Sequence, residues 1–503
     1  MSLDKKKYNE IISICEPTSN TPLVQYERII SEIDYNLLKV VLVNVAALDY
    51  SFIYSRGAKQ EKRPCYGLHS IKFSLSQSKY YSVIIDMDEF QLAPIDVGFL
   101  INYISLKSKN NVIVALNGYS PNRSIVEKTI FSIKKINPNI NVVIGGRLVS
   151  IELNPIDRLV SEKESIISYN FTENPANIYA IIGEAEKCFP LFINLLDKGE
   201  HDNLTNVEYK SQKEYKSAKH FEIISNDNFE YYDNFTPPTY KATMGDGNQY
   251  YVMLSSRSCN FNCSFCAAKY FPQRCYSINF LKQKLLLLLK SSFNKINIDF
   301  IDDNVLSSVH RSKEIIDMMY VLNTTGNSIK WRALARADVI IKLSEIGYIK
   351  KAALAGLEEV AIGFETVTDR LLVQMNKGTT FEISDKAVNL LNESNIRAKL
   401  FVMIGIESET EKELESTLTY VNNKMSNNVR SSVFIKSTYA GTLDHKRLLS
   451  KGWTFWDLQL YTEATYRGAE LINYVDKLKI KFSDMTLGQI NSKLIQFNDN
   501  MQK

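Results

Sequence analysis

Apolar residues along the first two hundred positions come in short, β-branched runs bounded by polar residues. "LLKVVLVNVAAL" (37–48), "YYSVIIDMDEF" (80–90), "NNVIVALNGYS" (110–120) and "NINVVIGGRLVS" (139–150) are four such runs. Near-continuous apolar runs of this length predict strands buried on both faces. Between the third and fourth, Ile125, Ile130, Ile133 and Ile136 recur near helical spacing and Pro138 closes the stretch, which predicts an amphipathic helix. Strands alternating with helices predict a parallel sheet covered on both sides. We therefore read residues 36–200 as a doubly wound, Rossmann-like α/β domain, preceded by a short helical lead-in at 1–35. Such domains take ligands beyond the carboxyl ends of their strands.

The pattern then changes. Residues 201–249 are polar, studded with aromatics and nearly free of aliphatic periodicity, and read as an extended connector with a Pro237-Pro238 stop. From 250 the alternation resumes. Strands are expected at 250–255, 296–301, 329–334, 359–364, 398–404 and 432–436, with helical stretches such as "SVHRSKEIIDMMYVLN" between them. Six βα units over 250–440 predict a complete or partial (β/α)6 barrel of TIM type, whose chemistry sits at the carboxyl ends of the strands. The last segment, 441–503, reads as mostly helical.

Composition narrows the function classes. The net charge is +4, from 60 basic and 56 acidic residues among 503, with 45% hydrophobic and 23% charged residues. This is an ordinary globular balance without the basic footprint of a nucleic-acid or membrane-surface binder. The start lacks a secretory pattern and the longest aliphatic run, "LLLLL" (285–289), is too short to span a bilayer. The expectation is a soluble cytoplasmic protein without a membrane partner. Cys15, Cys65, Cys188 and Cys275 are too scattered for a disulfide framework, and a reducing compartment suits thiolate ligation of a metal.

The remaining three of the seven cysteines, Cys259, Cys263 and Cys266, crowd into "SSRSCNFNCSFCAAKYF" (255–271) just after the first expected barrel strand. Three thiolates on one tight loop can hold three irons of a 4Fe–4S cluster and leave the fourth open. The rival is a structural zinc site completed by Cys275, although zinc sites favour paired Cys-x2-Cys knuckles and only one such pair occurs here.

"CNFNCSFC" resembles the CxxxCxΦC signature of radical S-adenosylmethionine enzymes, with Phe265 as the aromatic residue and Ser258 where the preceding glycine is usual. "FIDDNVL" (300–306), "WRALARAD" (331–338), "IGFETVTDRLLVQMNKGTT" (362–380) and "FVMIGIESETEKE" (401–413) are similar to successive barrel segments of that family. In the last of these, Ile406, Glu407 and Ser408 replace Leu-Pro-Gly. "YAGTLDHKRLLSKGWTFWD" (439–457) resembles the family's "PGT" segment and its downstream tryptophan. The resemblance implies a 4Fe–4S cluster on Cys259, Cys263 and Cys266. It also implies an S-adenosylmethionine pocket lined by Asp302, Asp303, Arg336, Glu365 and Gly405, and an external electron donor such as flavodoxin or ferredoxin. A carboxylate at a strand end can accept from an amine or ribose hydroxyls, and an arginine can pair with a carboxylate.

The first domain resembles the cobalamin-binding branch of the same family. "VVIGGRLVS" (142–150) is similar to its strand–Gly-Gly loop, which implies that Gly145 and Gly146 let a corrin approach the backbone. "RPCYGLHSI" (63–71) stands in the place of the branch's first loop, and "IIGEAEKCFPLFINLL" (181–196) resembles its "GEGE" segment. None of His69, His201, His220, His310 and His445 has aspartate two places before it, so the Asp-x-His-x-x-Gly cobalt-ligating motif is absent. The resemblance implies a cobalamin-dependent methyltransferase that acts through a 5′-deoxyadenosyl radical on an unactivated carbon of a small-molecule or peptide substrate. The alternatives are a radical epimerase, cyclase or ring-rearranging enzyme, a transfer-RNA methylthiotransferase, and a zinc-stabilised binding module. No cysteine follows Cys275, which leaves no ligands for a C-terminal auxiliary cluster.

Overall fold

The run Leu38–Asn44 (β1) can afford apolar residues at successive positions because both of its faces are covered. Val41 and Val43 pack under the helices Pro94–Lys107 and Arg123–Ile136, while Val40 and Leu42 pack under Tyr66–Gln77 and Cys188–Lys198. β2 (Tyr81–Asp86), β3 (Ile113–Asn117), β4 (Asn141–Gly145) and β5 (Ile178–Ile181) complete a parallel sheet in the order β2-β1-β3-β4-β5. The computed structural model describes residues 3–14, 23–46, 63–168, 177–210, 215–226, 228–242 and 248–501. The end of the first expected strand, at 47–48, and Cys15 lie outside the described residues. Strand order reverses at β1, so the crevice of a doubly wound fold opens beyond the carboxyl ends of β1 and β3.

The segment read as a connector supplies strands to both sheets. β6 (Val207–Lys210) and β7 (Tyr215–Lys216) extend the first sheet with antiparallel ladders. β8 (Thr239–Lys241) pairs antiparallel with β9 (Gln249–Met253) of the second. Their alternation is too short, and too rich in Tyr and Lys, to register as an apolar run. β5, only four residues long, escaped notice for the same reason.

A two-stranded hairpin of β10 (Ser256–Arg257) and β11 (Arg274–Cys275) follows β9. The second sheet continues with β12 (Lys295–Phe300), β13 (Ser328–Ala335), β14 (Leu357–Glu365), β15 (Arg397–Ile404) and β16 (Val429–Ile435). These strands and β9 lie side by side in chain order and run parallel, each followed by a helical stretch. Six such units form a half-barrel whose edges are β8 and β16. β15 shows the logic: Ala398, Leu400, Val402 and Ile404 are buried in the main core, whereas Phe401 and Met403 on the opposite face line a cavity. Among the described residues, no helix is long and apolar enough to cross a membrane.

The chain ends close around the seam between the sheets. Helix Lys5–Ile14 packs against the C-terminal helices, with Tyr8 and Trp456 rings 4.9 Å apart. Helix Phe455–Arg467 lies between this lead-in and the first domain. Its Glu463 is fully buried and accepts from the Ser124 backbone at 3.2 Å and Arg467 Nη1 at 3.1 Å, and from the hydroxyls of Tyr8 and Ser124. Nearby, Arg123 is wholly buried between Glu152 at 3.0 Å and Glu127 at 2.5 Å.

Removing one partner from such a network leaves an uncompensated buried charge. Glu463→Ala should therefore lower unfolding stability by about 3–5 kcal/mol. Arg28→Ala, which breaks an exposed pair with Glu89, should cost less than about 1 kcal/mol. Denaturant titration of the two variants checks the contrast, and equal losses would refute it.

Candidate active site between the two sheets

The hairpin pairs Ser256 with Cys275 and Arg257 with Arg274, and thereby closes the loop that carries the three clustered cysteines. Ser258 enters that loop at φ +68, the left-handed conformation that glycine adopts freely, so the backbone shape is kept although the residue is serine. Ser264, between Cys263 and Cys266, is held at both ends. Its N–H donates to Met375 O at 2.8 Å, and its carbonyl accepts from Asp444 N at 2.9 Å. The Ala268 N–H donates to Cys266 Sγ at 3.4 Å.

Cys259, Cys263 and Cys266 all line one cavity of about 640 Å³ at the half-barrel mouth. They carry free thiols, and burial raises Cys259 and pushes Cys266 up to about 11. Cys259 and Cys266 therefore keep their protons at neutral pH unless a bound metal displaces them. Cys275 is exposed on β11, faces the charges of Arg311, Asp302 and Glu314, and does not line the cavity. That position removes the fourth thiolate on which the zinc reading depended.

The carboxyl ends of the strands supply the rest of the wall, though not every expected residue. Glu365 ends β14 at φ +64, beyond a register shift between Gly363 and Glu365, and its Oε1 accepts from Lys377 Nζ at 2.5 Å. A bulge and a left-handed non-glycine residue at a strand end re-aim a side chain at a cost in strain. Asp303 lines the cavity and reaches Arg147 of the first domain at 3.4 Å. Arg336 lines it as well, but its guanidinium is occupied: it donates to Asp338 at 2.9 Å and to the carbonyls of Lys377 and Gly378 at 3.0 Å each, and stacks 3.9 Å from the Phe261 ring centroid.

Asp302 and Gly405 lie outside the cavity. Asp302 accepts from Ser255 N, Ser255 Oγ and Ser256 Oγ at 2.7–2.9 Å and so ties the end of β9 to that of β12. Burial, only partly offset by these donors, pushes its carboxyl up to about 6. Gly405 forms a turn at φ +75 whose N–H donates to Glu409 at 2.6 Å, and Ser408 keeps φ +62 where the family's glycine stands.

A second cavity, about 180 Å³, opens at the carboxyl ends of the first sheet. Gly145 and Gly146 both line it. A Cβ built on Gly145 would meet nothing within 4 Å, so the strand end presents bare backbone, while Gly146 at φ +89 lies against the backbone of Gly118. Cys65 lines the same cavity, whereas Cys188 is buried against Asn206 in the helix that it begins. None of the five histidines lines either cavity. Tyr119, in the loop after β3, lines both.

Sequence reasoning missed Lys377, Arg147, Asn304 and Tyr439. Asn304 is 2% exposed and lines the larger cavity with neither amide atom hydrogen-bonded. Its only sequence signal was adjacency to the Asp302-Asp303 pair. Tyr439 and Tyr466 line the same cavity and share a hydrogen bond between their hydroxyls. Tyr461 instead packs into the core, 4.6 Å from the Phe482 ring.

Residues 253–421, which run from the end of β9 to beyond β15 of the half-barrel, match the Radical SAM superfamily. The chain is 26% identical over 298 residues to an uncharacterized methyltransferase of Pyrococcus horikoshii, an alignment that covers 57% of this chain and spans 59% of that protein's length. Its fold is similar to that of the radical S-adenosylmethionine methyltransferase TsrM from Kitasatospora setae, solved with cobalamin and a [4Fe-4S] cluster bound. The TM-score is 0.59 at 13% identity, over 83% of this chain and 75% of that one. The cobalamin-dependent S-adenosylmethionine radical enzyme OxsB, solved with aqua-cobalamin and S-adenosylmethionine bound, is similar over 93% of this chain and 62% of its own, with a TM-score of 0.55 at 16% identity. The chain thus shares the overall fold of these two proteins across both of its sheets.

The raised Asp302 carboxyl gives this site a pH signature. Folding holds its proton more tightly than the unfolded chain does, so its contribution to stability falls as pH rises from about 4 to 6, by up to about 3 kcal/mol, and is flat above that. The stability of Asp302→Asn relative to the parent should rise across that window. Parallel pH profiles from denaturant titration would contradict the assignment.

Proposed function

We propose that the chain is a cobalamin-dependent radical S-adenosylmethionine methyltransferase acting on a small-molecule or peptide substrate. The carrying observation is that one cavity receives Cys259, Cys263 and Cys266 from the half-barrel and Tyr119 and Arg147 from the first domain. The residues present fit the groups this requires. Three thiols on one pinned loop, with no fourth cysteine at the cavity among the described residues, suit a 4Fe–4S cluster with an open iron. The unpartnered Asn304 amide is a buried polar group that a ligand would satisfy. The bare Gly145 backbone beside the second cavity suits the close approach of a flat macrocycle.

When bound, the cluster, S-adenosylmethionine and corrin supply a 5′-deoxyadenosyl radical and a transferable methyl group. The chain's own residues bind and orient. Glu365, re-aimed by its bulge, can take the cosubstrate's amine or hydroxyls once Lys377 yields it. Asp303 is similarly placed on the wall, and Arg336 acts as a brace rather than as a carboxylate clamp because its donors already hold the Lys377–Gly378 turn. Phe401, Met403 and Phe434 give the cavity an apolar side that excludes water from a reactive intermediate. Gly145, Gly146 and Tyr119 would face a corrin held at the second cavity, and no histidine lines either cavity. A flavodoxin- or ferredoxin-like donor would deliver the electron.

Anaerobic reconstitution with S-adenosylmethionine and hydroxocobalamin should give a brown protein that retains corrin and releases 5′-deoxyadenosine and S-adenosylhomocysteine. Alanine at Cys259, Cys263 or Cys266 should abolish 5′-deoxyadenosine, a larger loss than the roughly 10–100-fold typical of outer-shell changes around a metal. Cys275→Ser should leave it unchanged. Gly145→Phe should lose corrin while keeping the iron–sulfur absorbance. A colourless protein that binds zinc and needs Cys275 would reject the whole reading, and turnover with no methylated product would favour the epimerase or cyclase alternative.

A further inference from the structure

The segment Gly183–Glu186 after β5 has two sides. One side lines the 180 Å³ cavity of the first domain. The other meets the β10/β11 hairpin that closes the cysteine loop. Glu184 accepts from both strands of that hairpin: Arg274 forms a two-pronged contact with its oxygens, at 2.7 Å each, and Arg257 reaches it at 3.0 Å. Arg257 also contacts Glu186 at 2.9 Å and Asp233 at 2.7 Å.

All of these groups are largely withdrawn from water, with side-chain exposures of 12% or less. Burial disfavours the Arg257 charge, but Glu186, Asp233 and Glu184 together hold its guanidinium well above the ordinary range. Burial likewise raises Glu184, and Arg274 and Arg257 outweigh it, so the carboxyl stays below its usual range and ionised. The segment has little room to give elsewhere. Gly183 sits at φ +96 in a bridge with Glu222, where an added Cβ would fall 2.1 Å from the Glu222 carbonyl oxygen. A ligand pressing on the cavity side therefore acts on a wall whose other side is bonded to both stems of the cysteine loop.

We propose that Glu184, through Arg274 and Arg257, is a positioning residue for the cysteine loop and ties its geometry to what fills the first-domain cavity. This rests on the reading that the cavity takes a corrin and the loop an iron–sulfur cluster. Arg274 is the place to test it, because it lines neither cavity and lies eight positions beyond Cys266. Arg274→Lys keeps the charge but not the fork, and Arg274→Gln removes both.

The measurements are corrin retention by visible absorbance, the electron paramagnetic resonance spectrum of the reduced cluster, and the rate at which a chelator strips its iron, each with and without hydroxocobalamin. In the parent protein, corrin should change the cluster spectrum and slow iron release by about five-fold or more, the lower end of usual coupling between sites. Arg274→Gln should still retain corrin, with the corrin-dependent differences gone. Arg274→Lys should show an intermediate response, and it decides the matter alone if the glutamine variant does not fold by circular dichroism. Corrin bound to the parent with no change in spectrum or iron release would overturn the coupling while leaving the functional reading intact, as would variants that respond like the parent. A parent protein that retains no corrin would overturn the reading of the first domain and this proposal with it.

Discussion

Two buried knots of carboxylates and guanidinium groups hold the first sheet against the half-barrel. One gathers Glu463, Arg467, Ser124 and Tyr8, where helix Phe455–Arg467 is inserted; the other gathers Glu184, Glu186 and Asp233 around Arg257 and Arg274. Charges withdrawn from water tolerate little misalignment, because losing one partner exposes the full desolvation cost of the other. Apolar contacts alone would let two separately cored domains slide; these knots fix a register. The larger cavity exists because of that register, since its walls come from both sides of the seam.

Within that frame the site is built from backbone held in costly shapes. Ser258, Glu365 and Ser408 are non-glycine residues at φ between +62 and +68, each at a turn that shapes the half-barrel mouth. Such conformations persist only where the surroundings determine them more strongly than local preference does. Ser258 is followed by a loop pinned through both backbone groups of Ser264; Glu365 is held by Lys377; Ser408 donates its N–H to Phe482 O at 2.7 Å. The strain is offset by contacts from elements far away in sequence, so the mouth depends on the whole half-barrel being folded.

The composition of the cavity matches its position. Cationic groups reach it, yet each is engaged nearby: Arg147 with Asp303, Arg336 with Asp338, Lys377 with Glu365 and Lys436 with Asp444. A cavity lined this way carries little net charge. The aromatic and thioether side chains of Phe401, Met403 and Phe434 supply contact area without competing hydrogen bonds.

By itself, the amino-acid sequence determined the strands with long β-branched runs, the parallel arrangement that those runs and their intervening helices require, and the cysteine triplet with its one-loop spacing. These are local properties: periodicity and short-range spacing survive translation into structure because hydrogen bonding and burial act on neighbouring positions first. Only the tertiary structure decided which acidic residue faces the cavity. Asp302 and Asp303 are adjacent just past the end of β12, yet one became a brace between strand ends and the other a wall. It alone put the Arg336 guanidinium against the Lys377 and Gly378 carbonyls, brought Lys377, Tyr439 and Tyr119 to one place, and turned part of a polar connector into sheet. Those outcomes depend on contacts between residues tens to hundreds of positions apart, which no local pattern encodes.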